Sequence, residues 1–230
     1  MEQVVLLAHG AGSRADVVRR LLGPCVPEGI PVVAPELRGG LDEMVRSLAD
    51  AVDGCEVVLA GGISMGAHAL VVLAATTGAP WPMALVMPAW TGSPDHVAAS
   101  TAAAADDLAS RGRGSVLRAL AEDPATRDDW VREELADGWA AYDDITLVAT
   151  LRAASTSRGP TPAELRSVAG PVAVVALDDD PLHPAVVARR WADEIPRAAL
   201  TTVPRHAPAA DRGVLGRAAR EALDGLSGSR

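Results

Sequence analysis

Three residue types needed for acyl transfer occur at suggestive places along the chain. Gly62-Ile63-Ser64-Met65-Gly66 sets a serine between glycines two before and two after it. A serine is a weak nucleophile at its own pKa and needs a neighbouring base, itself oriented by an acid. Downstream, an apolar run ends in Asp178-Asp179-Asp180-Pro181-Leu182-His183-Pro184, and a second ends in Pro204-Arg205-His206-Ala207-Pro208. Serine, then acid, then histidine is the chain order of one widespread nucleophile-elbow arrangement.

The elements that must position these groups are short apolar runs alternating with amphipathic stretches. The runs Val4–Ala8, Pro31–Ala34, Glu56–Ile63, Met83–Ala89, Val172–Leu177 and Ala198–Val203 are too short for helices and apolar on both faces. Strands of a parallel sheet covered on both sides read this way. Leu41, Met44, Val45 and Leu48 recur at helical spacing between two of them. The pattern predicts an α/β fold: a doubly wound, mostly parallel sheet of about six strands. Between 91 and 169 the strand pattern stops. Val131, Leu135, Trp139 and Tyr142 form one helical stripe, and Ile145, Val148 and Leu151 another. We expect one domain over 1–230, with 91–169 inserted as a helical cap.

Ser64 ends the Glu56–Ile63 run and precedes the apolar stretch 67–75, so it sits on a tight strand-to-helix turn. The helix that follows aims its free N–H groups at the same spot, where they favour a developing oxyanion. Both acid and histidine candidates fall at C-terminal strand ends, where ligands bind in open α/β sheets.

These motifs resemble the α/β-hydrolase superfamily over nearly the whole length. His9-Gly10-Ala11 is similar to the family's oxyanion loop, and Leu37-Arg38-Gly39-Gly40 to its Arg-Gly turn. The resemblance implies the α/β-hydrolase fold, a Ser64, Asp180 and His206 triad, and an oxyanion hole made by the backbone N–H groups of Ala11 and Met65. Asp178 and Asp179 compete with Asp180 for the acid's role, and Asp95 is a further rival. The sequence departs from the family at Ile63, often His, at Leu177, usually Gly, and at Arg205, frequently Gly. His9 reads as a brace for its loop, His68 as a packed helix residue, His183 as structural and His96 as solvated.

Trp90, Trp130, Trp139 and Tyr142 fall at the start of the insertion or inside it, and suit the wall of a substrate pocket. Trp191 reads as core. The expected function is hydrolysis of a small-molecule carboxylic ester with an apolar acyl group, through an acyl-enzyme, without metal or organic cofactor. Ser64-Met65-Gly66-Ala67 and the helical lid are also similar to biosynthetic type II thioesterases, which makes a thioester substrate the second reading. A non-catalytic small-molecule receptor is a third.

Composition narrows the classes further. The 230 residues carry 30 acidic against 21 basic side chains, a net charge of −9, and every basic residue is Arg. That balance argues against a nucleic-acid partner. No apolar run approaches the length of a membrane span, and the first ten residues lack a basic, cleavable leader, so a cytoplasmic protein without a membrane partner is expected. Cys25 and Cys55 sit in no metal or redox motif. Oligomeric state is not legible.

Overall fold

The computed structural model describes residues 1–94, 96–123 and 129–228. Asp95 lies outside the described residues, as does the side chain of His96. The chain runs β1 (Glu2–Ala8), α1 (Ala15–Leu22), a 3-10 turn (Gly23–Cys25), β2 (Val32–Val33), α2 (Leu41–Ala51), β3 (Cys55–Ile63), α3 (Met65–Thr77) and β4 (Met83–Val86). Five helices follow among the described residues: α4 (His96–Arg111), α5 (Arg113–Glu122), α6 (Trp130–Ala140), α7 (Asp144–Thr156) and α8 (Pro162–Ser167). The chain then completes β5 (Val172–Leu177), α9 (Ala185–Glu194), β6 (Ala198–Val203), α10 (Ala207–Ala210) and α11 (Val214–Ser227).

All six strands are parallel, in the order β2-β1-β3-β4-β5-β6. Because strand side chains alternate, each apolar run feeds two cores at once. Val4, Leu6 and Ala8 of β1, with Val172, Val174 and Ala176 of β5, face the core shared with α2, α3, α8 and α9. Val5 and Leu7, with Ala173, Val175 and Leu177, face α1 and α11 on the other side. Helix α3 is buried at every residue from Met65 to Ala74, which explains its lack of a polar face.

Strand order reverses between β1 and β3, since the chain leaves β1 for one edge and returns to β3 on the other side. The crevice above such a switch point is where α/β sheets take ligands. The loops after β1 and β3 both open there.

The runs at Pro31–Ala34 and Met83–Ala89 yield shorter strands than their apolar length suggests. Proline at position 31 limits β2 at the sheet edge. Met87 takes a left-handed φ of 51° and turns the chain out of β4. Helices α4, α5, α6 and α7 share a small core of Leu108, Val116, Trp139, Leu147 and Leu151. Leu165 of α8 and Ala154 near the end of α7 instead join the core around α3, because these segments lead the chain back into β5.

Candidate active site

Ser64 stands alone between β3 and α3 with φ 53° and ψ −121°, a region that non-glycine residues rarely occupy. The turn is held because its amide donates to the Val86 carbonyl (3.0 Å) and its carbonyl accepts from the His68 amide (3.2 Å). The flanking glycines are steric requirements. A Cβ on Gly66 would lie 2.2 Å from the Ala8 carbonyl oxygen, and one on Gly62 would lie 2.7 Å from the Ala67 nitrogen.

Beyond β5, the chain folds into a short turn around the Asp180 carboxylate. Its Oδ1 accepts from the amides of Leu182 (2.9 Å) and His183 (3.3 Å), and its Oδ2 lies 3.1 Å from His183 Nδ1. The other ring nitrogen, His183 Nε2, lies 3.1 Å from Ser64 Oγ. Burial acts to raise the Asp180 pKa, but the His183 ring and the two amides outweigh it and hold the carboxyl below its ordinary range. An ionised carboxylate only accepts, so the ring proton resides on Nδ1 and Nε2 is free to accept from the serine hydroxyl. Asp180 is 7% exposed, whereas Asp178 and Asp179 face solvent. Of the three consecutive aspartates, Asp180 alone reaches the ring.

A cavity of about 470 Å³ opens over Ser64 and His183. Its walls come from α1 (Val17, Leu21), α4 (Val97), α5 (Val116, Leu120) and α6 (Leu135), together with Trp90, Trp130 and Trp139.

No family model matches the sequence, and no curated protein matches it. Solved structures do. A thermophilic esterase from Thermogutta terrifontis superposes with a TM-score of 0.73 at 17% identity, over 98% of this chain and 90% of its own. A carboxylesterase structure from Nitrososphaera gargenis gives 0.73 at 15% identity, over 99% and 89%. The enol-lactonase from Burkholderia xenovorans gives 0.68 at 16% identity, over 88% and 83%. The chain has the α/β-hydrolase fold.

Within this α/β-hydrolase fold the structure does not bring the expected histidine to Ser64. His206, after β6, is exposed at the N-cap of the short helix α10, and the ring that meets Ser64 belongs to His183. The physical reason is the carboxylate-centred turn. By binding the amides two and three residues on, Asp180 curls the chain until residue 183 presents its ring to the same carboxylate. Acid and base candidates thus share one turn. The available signal was Asp-x-x-His bracketed by Pro181 and Pro184, read at the sequence level as structural.

The loop after β1 is braced by His9. Its Nδ1 lies 2.8 Å from the Gly10 carbonyl, and its Nε2 accepts from the Leu37 amide (2.8 Å). Burial lowers the His9 pKa despite the Gly10 carbonyl acting to raise it, which keeps this ring neutral. Ala11 and Met65 both line the cavity beside Ser64. Met65 opens α3, so its amide has no acceptor within the helix.

Trp90, Trp130 and Trp139 line the cavity, and Tyr142 does not. It lies past the end of α6, where its hydroxyl donates to the Ser13 carbonyl (2.9 Å) and the Arg38 guanidinium stacks 3.8 Å above its ring. Its role is to join the α6–α7 turn to the loop after β1. Helix α6 is fastened elsewhere too. Trp130 Nε1 donates to the Arg205 carbonyl (2.9 Å), and Arg205 pairs with Asp129. Glu134 bridges Arg20 (2.6 Å) and Arg212 (2.8 Å). Trp191 is fully buried. Among the described residues no group of His, Cys, Asp or Glu is placed to hold a metal ion, and no helix is long and apolar enough to cross a membrane.

Proposed function

We propose that the protein is a serine hydrolase that cleaves small-molecule carboxylic esters of apolar acyl groups through an acyl-enzyme. The observation that carries this reading is the continuous chain Ser64 Oγ, His183 Nε2, His183 Nδ1, Asp180 Oδ2, with 3.1 Å at both contacts. The apolar cavity above it supports the choice of acyl group.

His183 Nε2 takes the Ser64 proton as Oγ attacks the ester carbonyl. The tetrahedral oxyanion is held by the amides of Ala11 and Met65, fixed dipoles that need no reorganisation during the reaction. Asp180 keeps the imidazole in its working tautomer and stabilises the imidazolium. The imidazolium then protonates the departing alkoxide oxygen, leaving the acyl group on Ser64. A water deprotonated by the same ring releases the acid and restores the serine. The helices over Ser64, chiefly α4 to α6, act as a cap that shelters the acyl group from water.

The test is a panel of p-nitrophenyl esters of increasing acyl length beside matched thioesters, run with wild type and Ser64→Ala. Wild type is expected to prefer apolar acyl esters, and Ser64→Ala to lose about 10⁴-fold or more of the activity. A fluorophosphonate probe should label wild type and not the variant. A folded wild type that neither labels nor hydrolyses would favour the receptor reading, and preference for thioesters would favour the thioesterase.

A further inference from the structure

One helical turn beyond Ser64, on α3, stands a histidine that the relay does not use. His68 is fully buried. Its Nε2 accepts from the amide of Ala89 (3.1 Å) and also faces that of Trp90 (3.4 Å). Two tryptophans flank the ring: Trp90 edge-on at 4.9 Å and 87°, and Trp191 tilted at 5.2 Å. Trp191 in turn donates from Nε1 to Thr91 Oγ1 (2.9 Å).

The segment 87–90 explains why an acceptor is needed. The Met87 amide still donates to Val175, but its left-handed φ then takes the chain off the sheet. Pro88 has no N–H, and the next two amides are buried without a strand to pair with. Buried backbone donors are nearly always satisfied, and an acceptor on α3 is the one provided here. Burial pushes the His68 ring down to about 3, so it stays neutral and keeps Nε2 as an acceptor. Such a ring is unsuited to act as a general base near neutral pH.

We propose that His68 is a positioning residue that fixes the backbone at Ala89–Trp90, holds Trp90 as a wall of the cavity, and so sets acyl-length selectivity. This rests on reading the site as an ester hydrolase. His68 acts through Trp90, which lines the cavity along with Ser64.

The discriminating variants are His68→Gln, whose amide oxygen supplies an acceptor in place of Nε2, and His68→Leu, which fills the space without one. His68→Leu should lower the octanoate-to-acetate ratio of kcat/KM about tenfold, mainly through KM, and speed amide exchange at Ala89 and Trp90 by about tenfold or more. His68→Gln should restore both to within about threefold of wild type. Trp90→Ala should reproduce the loss of selectivity independently, whether or not His68→Leu folds. The proposal is overturned if Trp90→Ala leaves the ratio unchanged, if His68→Leu keeps both selectivity and protected amides, or if both His68 variants depress every ester in parallel. Should wild type cleave no ester while still exchanging the two amides slowly, the functional reading fails and the positional role of His68 survives. Fast exchange in wild type would overturn that role as well.

Discussion

Asp180 and His183 lie three residues apart and face each other across a single turn, Oδ2 to Nδ1 at 3.1 Å, with the amide of His183 bound to the same carboxylate. This turn makes the two side chains one mechanical unit. Its strongest consequence concerns which histidine is essential. His183→Ala should reduce ester turnover by about 10³-fold or more, whereas His206→Ala should stay within about twofold of wild type. Steady-state kinetics on one activated ester settles the matter, and a dead His206→Ala with an active His183→Ala would reverse the assignment.

Asp180→Asn tests the acid and the turn together. An amide in place of the carboxylate cannot hold the imidazolium, and its NH₂ group cannot accept from Leu182 or from the ring. Turnover should fall about 10²- to 10⁴-fold, with a measurable drop in Tm. Asp178→Asn and Asp179→Asn change exposed side chains, and asparagine tolerates the left-handed φ of 55° at position 179. Both should behave as wild type in the same kinetic and melting assays.

Acid stability follows from two buried rings. His9 and His68 both sit below the ordinary histidine value of 6.5 because burial disfavours their charged forms. The unfolded chain therefore binds more protons than the folded one as pH drops below 6.5, and folding stability falls in that direction. For His68 the loss continues toward about 3. Melting temperatures from pH 7 to pH 4 should decline, and His68→Gln should show a shallower decline than wild type. An equal slope in both would mean that the ring takes up no extra proton on unfolding.

The elbow imposes a steric limit that can be measured without any substrate. Gly66→Ala would drive a Cβ to 2.2 Å from the Ala8 carbonyl. It should cost about 3 kcal/mol or more in urea unfolding, or prevent folding. Gly114→Ala, on α5 with nothing within 4 Å of the new Cβ, is the control and should stabilise by about 0.5–1 kcal/mol.

The sheet was legible in the sequence because both faces of each strand are buried, which leaves compact apolar runs such as Val172–Leu177. Ser64 was legible because only glycines fit at 62 and 66, and that need is written in composition. His183 was not. What brings it to Ser64 is a curl set by side-chain-to-amide bonds from Asp180, and such bonds leave no periodicity. Tyr142 misled for a related reason. Its helical spacing with Leu135 and Trp139 is real and it packs in one small core with them, but α6 ends at Ala140 and its hydroxyl reaches Ser13, so it is not part of the cavity lining. Ile145 carried the same spacing into α7 and is 84% exposed, since the buried face of that helix runs through Leu147, Thr150, Leu151 and Ala154.

With Asp180 and His183 both on the turn after β5, the loop after β6 holds other contacts, and Arg205 spends its carbonyl and its guanidinium on the start of α6. On the proposed reading, bond breaking and admission of the molecule to be broken fall to different stretches of polypeptide. Changes at Arg205 should retune which esters get in while leaving untouched the machinery that cuts them, a division of labour that invites evolution of new preferences from the C-terminal end.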